Sequence, residues 1–389
     1  MSVEIVSTLA DIDPAQWNRL AGGNPFLRHE FLHALHETGC ASEKTGWAPR
    51  YLVALEKNRL TGAMPLYVKS HSRGEYVFDW AWADAYERHG LAYYPKLLSA
   101  IPFTPVTGPR ILAASDSVAA EIAAHVMQVA RDSNASSLHC LFPPSAQAAL
   151  LAGEGMMLRH GVQFHWVNPG TGVTDFDQYL ALMNHTKRKK IKQERRRVRD
   201  AGITFRWLEG EAISENDWAF FARCYTRTYR EHRNTPYLNL DFFQRIGKTM
   251  PENLLLIVAE RDGNAIAASF NVTGANHLYG RYWGAIEHHP MLHFEACYYQ
   301  VIEYCIARSI AVFEGGAQGE HKMARGLMPV QTTSAHWLAQ PQFAKAVENF
   351  LARETQGVAH YIDELREHTP FSHAPDTPKK ILFKNKYLL

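Results

Sequence analysis

Polar side chains that move protons or bind anions are concentrated in one stretch of the last third of the chain, between positions 292 and 326. They are His293, Glu295, Glu314, Gln318, Glu320, His321, Lys322 and Arg325. The segment LYGRYWG (278–284) precedes them and adds Tyr279, Arg281 and Tyr282. Such density at strand ends and in a glycine-rich loop favours general acid–base chemistry over packing. A solvated loop whose polar groups bond to backbone is the alternative.

A second cluster, His29-Glu30-Phe31-Leu32-His33, matches the zinc-hydrolase pattern H-E-x-x-H. On a helix the two histidines would share a face, and His36 would extend it. Position 36 is not the glycine that a longer zinc motif needs, and no third ligand is identifiable. Because Phe31 and Leu32 also fit an ordinary amphipathic helix, we expect no metal site. The chain contains no G-x-S-x-G, P-loop or dinucleotide-binding fingerprint.

The elements that must position the polar stretch follow a clear order. Alternating and apolar segments predict strands at 253–260, 265–273 and 277–285, joined by turns at 261–264 and 274–276. A helix is predicted at 293–308 and a short strand at 310–314. Three antiparallel strands, a helix and a strand parallel to the third form the core of the acetyltransferase (GNAT) fold. This order also places a helix N-terminus, a site for anions such as pyrophosphate, at a strand end.

The first part of the chain carries a similar strand–turn–strand pattern. RYLVALEKNRLTGAMPLYV, from Arg50, and LLLIVAERDGNAIAASFNV, from Leu254, have about the same length, and each follows a helical segment. This repetition predicts a duplicated domain. We therefore expect an α/β (α+β) protein of two tandem GNAT-like halves, at 1–170 and 171–389, with mixed, mostly antiparallel sheets flanked by helices.

Several long motifs resemble those of the Fem-like (FemAB-like) group of predicted N-acyltransferases of the GNAT superfamily, often labelled peptidoglycan biosynthesis or recognition proteins. The motifs are LYGRYWG (278–284), LHFEACYYQVIE (292–303), FEGGAQGEHKMARGLMP (313–329), EYVFDWAWADAYERHGLAYYPKLL (75–98), PFTPVTGPR (102–110) and QFHW (163–166). The resemblance extends from about Pro25 to Phe371. It implies a double GNAT fold and transfer of an acyl group to an amine.

Acyl transfer to an amine needs a general base, stabilisation of the acyl oxygen and a proton for the leaving group. We assign Glu295 or Glu320 as the base and Tyr282 or His321 as the proton donor. Donor contacts are assigned to Arg281, His293, Gln318, Lys322 and Arg325.

The loop R/Q-x-x-G-x-G/A of acyl-CoA-dependent relatives is missing, since its nearest match, 281–286, lacks the final small residue. The donor is therefore open between acyl-CoA, as a dissociable co-substrate, and aminoacyl-tRNA. No tightly bound cofactor is expected. The alternative function is a catalytically silent GNAT-like module that binds a cell-envelope or nucleotide ligand.

The binding site for the acceptor amine is assigned to an aromatic and acidic segment of the first half. Its residues Trp80, Trp82, Asp84 and Tyr86, together with Glu314, offer stacking platforms and carboxylates for a cationic small molecule or peptide. The other interpretation is a core or a seam between the halves, where tryptophan supplies contact area.

The run HTKRKKIKQERRRVR (185–199) holds nine Lys or Arg residues and one Glu. A narrow apolar stripe with positive charge around it predicts a helix that grips tRNA phosphates, nucleotide phosphates or an anionic membrane. A solvated charged face explains it equally. The formal net charge of the whole chain is only +2, so any polyanion contact must be local.

The chain has 389 residues, of which 46% are hydrophobic, and this composition fits a globular protein with a substantial core. Its five cysteines are scattered and odd in number, without a C-x-x-C pair, which argues against a disulfide framework and a thiolate zinc site. The first residues lack a signal-peptide pattern, and no apolar run of membrane length occurs. We expect a cytoplasmic protein. The oligomeric state is not predicted.

Overall fold

The computed structural model describes residues 2–316 and 319–372. Within them the strands form sheets of four and eleven strands. The strands are β1 (Ser2–Val6), β2 (Trp47–Pro49), β3 (Tyr51–Glu56), β4 (Arg59–Met64), β5 (Tyr67–Lys69), β6 (Lys96–Ser99), β7 (Leu112–Ala113), β8 (Ser137–Leu141), β9 (Met157–Val167), β10 (Ile203–Glu209), β11 (Leu254–Arg261), β12 (Asn264–Thr273), β13 (His277–Ala285), β14 (Val312–Glu314) and β15 (Met328–Leu338).

Several helices begin at residues whose side chains accept a hydrogen bond from the first turn, such as Asp13, Asn184 and Asn239. They are α1 (Pro14–Ala21), α2 (His29–Glu37), α3 (Trp80–Arg88), α4 (Asp116–Asp132), α5 (Ser145–Gly153), α6 (Phe176–Ala181), α7 (His185–Asp200), α8 (Glu215–Glu231), α9 (Leu240–Thr249), α10 (Leu292–Phe294), α11 (Gln300–Ala307) and α12 (Pro341–Glu367). A π-helix, Glu295–Tyr299, joins α10 to α11. No helix of the described residues is both long and apolar enough to cross a membrane.

The second half has the predicted strand order. β11, β12 and β13 pair in antiparallel fashion, and β14 pairs with β13 in parallel after the helical crossover. The α+β class with tandem GNAT-like halves and mostly antiparallel sheets is confirmed. The sequence of segment 175–202 predicts one continuous helix, but the structure has two, because Leu182–Asn184 interrupts the segment and Asn184 caps α7.

One sheet runs through both halves in the order β10-β11-β12-β13-β14-β9-β15-β8-β6-β5-β2. The strand β15, late in the chain, pairs with β9 and β8 from before residue 170. This pairing had no counterpart among the predicted elements. The boundary between the two halves at residue 170 stays a prediction.

Residues that alternate along β11–β14 face two different helical layers. Leu255, Ile257, Leu278 and Phe313 pack on α11, and we call this side the α11 face. Leu254, Leu256, Phe270 and Tyr279 pack with α8 and α9 on the other side, the α8 face. The two faces of the sheet therefore offer separate approaches to any opening between its strands.

Candidate active site

The parallel strands β13 and β14 pair over only three residue pairs, ending at Tyr279 and Glu314. Beyond them β13 continues to Ala285, and within the described residues its only remaining strand partner is β12. Gly280 on β13 and Gly315–Gly316 after β14 stand where the ladder ends. A Cβ atom added at Gly280 would lie 3.1 Å from the Phe313 ring, and one added at Gly315 would lie 2.5 Å from the Leu327 side chain. Among the described residues, the β13 backbone groups on this side have no strand partner beyond Tyr279, and such groups can bond to a ligand.

On the α11 face, four polar side chains converge near this opening. Ser269 and Asn271 share that face because they pair opposite Ile257 and Leu255, and both are buried. The thiol of Cys297 in the π-helix lies beside the Ser269 hydroxyl. The Lys322 ammonium donates to the carbonyl of Gly316 at 2.9 Å. Burial lowers the pKa of Lys322 to about 8, against the opposing influence of Cys297.

The outer rim of this face is aromatic and contains two predicted residues. His293 contacts the rings of Trp283 and Tyr298, each at a centroid distance of 5.6 Å. His321, in a 3-10 helix at Glu320–Arg325, shares a hydrogen bond of 3.2 Å with the Tyr298 hydroxyl. The structure therefore brings His293, His321 and Lys322 to one side of the opening. A single wider turn of π-helix within an α-helix often marks a functional site.

The α8 face presents a different group. Glu314 is buried, and its Oε2 has no hydrogen-bond partner among the described residues. The His165 ring on β9 lies 3.8 Å away. Burial raises the pKa of Glu314 to about 8, although Arg281 acts to lower it. Arg281 and Tyr282 both donate to the carbonyl of Phe103, at 2.6 and 3.2 Å. This face therefore lies against the PFTPVTGPR loop of the first half.

Two predicted residues form ion pairs with the basic helix α7. Glu295 is buried and accepts from Arg195 at 2.9 Å and from Gln300 at 2.8 Å. Arg325 donates to Glu194 at 3.1 Å and lies over the Phe294 ring at 3.6 Å. Their charges are therefore engaged with neighbouring elements in this structure.

The other two residues predicted in the loop after β14 are Glu320 and Gln318. Glu320 accepts a hydrogen bond from Tyr361 on α12 at the surface. Gln318 lies outside the described residues. The catalytic and binding roles assigned from sequence to all these residues stay predictions.

The predicted acceptor residues of the first half separate. Trp80 is 46% exposed and lines a cavity, and Asp84 is exposed on α3, 4.0 Å from Arg88. Trp82 and Tyr86 are buried, where they contact His336 at 5.0 Å and Phe343 at 4.2 Å. The last two therefore contribute to the core between α3, β15 and α12.

Two residues of the H-E-x-x-H pattern, His29 and Glu30, have structural partners. His29 bonds to the carbonyl of Leu9 at 2.8 Å, and Glu30 pairs with Arg28 at 3.1 Å. Over residues 2–316 and 319–372 no cluster of three potential ligands could hold a metal ion.

The first half has its own parallel strand pair, β6 and β8, which also separates after three residue pairs. At this point the PFTPVTGPR loop bonds to the residue that follows β8, because Gly108 donates to the carbonyl of Phe142 at 3.1 Å. The fully buried Arg110 donates to the carbonyl of Val106 in the same loop at 2.7 Å.

Sequence reasoning missed Ser269, Asn271, Cys297 and His165. The signal available was two polar residues spaced by two inside the apolar strand AIAASFNV. The spacing of Cys297 from the other cysteines argues against a disulfide or a zinc site, and it gives no sign of a position beside Ser269.

The sequence profile of the FemAB-like family, described as peptidoglycan biosynthesis/recognition, matches residues 8–373. A search of the curated proteins found no match. Among solved structures, FemX is 10% identical, with 88% of this chain and 99% of that chain covered and a TM-score of 0.53.

The L-PGS of Bacillus licheniformis is 10% identical over 88% of this chain and 97% of that chain, with a TM-score of 0.51. A tandem GNAT protein from the clavulanic acid biosynthesis pathway is 12% identical over 87% of this chain and 99% of that chain, with a TM-score of 0.45. At such identities these likenesses concern the fold. The family match covers nearly the whole chain, and the protein belongs to the FemAB-like family.

Proposed function

We propose that the protein is an N-acyltransferase that moves an acyl or aminoacyl group from an activated donor to an amine. The observation that supports this most directly is the opening between β13 and β14. It has a buried lysine on one face and, on the other, a buried glutamate whose Oε2 lacks a hydrogen-bond partner in the described part of the chain. An opening in a sheet allows a donor and an acceptor to approach the same carbonyl from opposite sides.

In this proposal the donor carbonyl lies in the opening. The acceptor nitrogen attacks its carbon, and negative charge develops on the carbonyl oxygen. The Lys322 ammonium and the free N–H groups of β13 are suited to stabilise that charge in a site shielded from water. The tetrahedral intermediate then expels a thiolate or a ribose oxygen, and His321 is the residue placed to supply its proton.

The acceptor amine must lose a proton as the new C–N bond forms. We favour Glu314 as the group that takes this proton, in place of Glu295 and Glu320. Within residues 2–316 and 319–372, no hydrogen bond engages its Oε2. Its pKa of about 8 is close to working pH, which suits a group that must both take and release a proton. Arg281 and Tyr282 hold the neighbouring Phe103 carbonyl and so shape this side.

The donor is an acyl-CoA or an aminoacyl-tRNA. A groove of about 510 Å³ on α7 is lined by basic side chains that include Arg188, Lys189 and Arg196, and it suits phosphates of either molecule. The family description makes peptidoglycan stem peptides the first acceptors to examine.

The test is acyl transfer by the purified full chain, with acetyl-CoA and charged tRNA as donors and stem peptides as acceptors. Glu314→Gln should lower the rate by roughly 10²–10⁴-fold, and Lys322→Met by roughly 10²–10³-fold. Lys345→Met, an exposed lysine on α12, is the matched control and should change nothing. Transfer at the wild-type rate by both site variants would refute the site. Ligand binding without consumption of any donor would support a silent binding module instead.

A further inference from the structure

A cavity of about 310 Å³ lies between the segment 72–80 of the first half and Tyr237 of the second. Its lining includes Ser72, Arg73, Tyr76, Phe78 and Trp80. Phe78 and Trp80 are 54% and 46% exposed, which is high for such large apolar side chains. Exposed rings around a cavity are suited to stack on a ligand ring.

The carboxylates of this segment do not reach the cavity. Glu75 and Asp79 are buried, and both bind the Lys96 ammonium, Glu75 at 2.8 Å. Lys69 lies 3.8 Å from Glu75 on the other side. Both lysine side chains are fully buried, so these ion pairs are closed to solvent. Neither Glu75 nor Asp79 is therefore available to a ligand in the cavity.

The charge left at the cavity is positive. Arg73 is exposed, and within the described residues its side chain forms no ion pair. The hydroxyl of Ser72 is fixed below it by the Lys96 ammonium at 2.7 Å and by Tyr94 at 2.8 Å. A cavity with aromatic walls, one free guanidinium and no free carboxylate among its lining residues favours an anion.

The cavity is continuous in side-chain contacts with the candidate active site. Tyr237 stacks on Phe103 at 4.7 Å, and the Phe103 carbonyl accepts from Arg281 and Tyr282. Burial raises the pKa of Tyr76, and Tyr282 and Arg281 also influence this pKa, so the tyrosine lies with its hydroxyl near both side chains. Its φ of 63° is in the left-handed region, an unfavourable conformation for tyrosine that the surrounding structure must hold. The cavity therefore adjoins the α8 face, where we place the acceptor.

We propose that this cavity binds an anionic group carried on a ring, and so selects an acceptor that carries negative charge near its amine-bearing portion. The ring stacks on Trp80 and Phe78, and the carboxylate or phosphate pairs with Arg73. The assignment to the acceptor rests on the proposed function. The binding itself does not, because it needs no donor and no turnover.

The test is a thermal-shift and calorimetric titration of the full chain with three anions. Glucuronate and glucose 1-phosphate carry the charge on a sugar, with glucose as neutral control and glucosamine as cationic control. Benzoate carries it on an aromatic ring, with benzamide as control. We expect at least one anion to bind about tenfold more tightly than its neutral control, and the sugar and aromatic arms identify the ring.

Arg73→Gln and Trp80→Leu should each weaken that binding by roughly tenfold. Arg131→Gln on α4 and Phe350→Leu on α12 are the matched exposed controls and should bind normally. The inference would be overturned if no anion bound, or if anion and neutral control bound equally well. It would also be overturned if glucosamine bound more tightly than the anions, or if Arg73→Gln left anion binding unchanged. Glu314→Gln and Lys322→Met should retain anion binding. Anion binding by the wild-type chain without transfer from any donor would refute the proposed function and leave this inference standing.

Discussion

Arg195 in the middle of α7 holds the buried carboxylate of Glu295, with Nη2 2.9 Å from Oε1 and Nε 3.2 Å from Oε2. This pair fastens the basic helix to the π-helix that contributes Cys297 to the candidate site. The same guanidinium also reaches Glu303 at 2.7 Å. A phosphate ligand on the outer face of α7 would therefore lie on an element fixed directly to the reaction site.

For this reason Glu295→Gln should lower the free energy of unfolding by about 1–3 kcal/mol, the usual contribution of a hydrogen bond to a charged group. Urea denaturation measures it, and turnover of the folded fraction should stay within a few-fold of wild type. A loss of more than about 100-fold in turnover at unchanged stability would support the role of general base that the sequence suggested.

Lys96→Met should destabilise the first half strongly, because it leaves the buried carboxylates of Glu75 and Asp79 without their shared cation. We expect a loss of about 3–5 kcal/mol in unfolding free energy, measured by urea denaturation at pH 7. Lys345→Met on α12 removes an exposed pair and should cost less than about 1 kcal/mol. A wild-type midpoint for Lys96→Met would contradict the ion-pair network.

The buried carboxyl of Glu314 should make stability depend on pH. Its pKa in the folded protein is about 8 against an ordinary 4.5, so the folded chain keeps a proton that the unfolded chain has lost. The resulting stabilisation is complete below pH 4.5 and disappears as pH rises through 8. Between pH 4.5 and 8, the unfolding free energy of the wild type should fall, relative to that of Glu314→Gln, by up to about 1.4 kcal/mol per pH unit. Parallel pH profiles for the two proteins would show that Glu314 titrates normally.

Gly284→Ala should unfold or severely destabilise the protein. An added Cβ would lie 2.2 Å from the backbone carbonyl carbon of Cys224, so α8 could not keep its place against β13. We expect a loss of more than about 3 kcal/mol by thermal or urea denaturation. Gly357→Ala in α12 meets nothing within 4 Å and should instead stabilise by up to about 1 kcal/mol. A mild effect of Gly284→Ala would mean that α8 packs less closely than this.

If tRNA is the donor, its binding should depend strongly on salt. Arg188→Ala and Lys189→Ala, at the groove on α7, should each weaken tRNA binding. Each phosphate contact that is lost should make the slope of log K against log salt shallower by about 0.7–0.9. Filter binding or fluorescence anisotropy at several salt concentrations gives this slope, with Lys345→Ala as control. An unchanged slope in both variants would remove α7 from the interface.

Much of the fold follows from local pattern. The alternating segments before and after 261–264, the cap at Asp13, and the polar stretch at 292–326 are each readable along the chain, because strand and helix periodicity reflects which side chains meet a core. The break between α6 and α7 was not read, since the polar residues there fit a helix as well as a cap.

Local pattern predicts the second-half order of strands and helix and part of the candidate site, including Glu314, His321 and Lys322. How the charged residues are paired depends on the folded structure. It pairs Glu295 with Arg195, encloses Asp79 and Glu75 around Lys96, and leaves Glu314 and Arg73 without such partners among the described residues. The physical reason is that burial and long-range pairing set the state of a charged group, and the strand β15, paired across both halves, brings together residues that no local pattern connects.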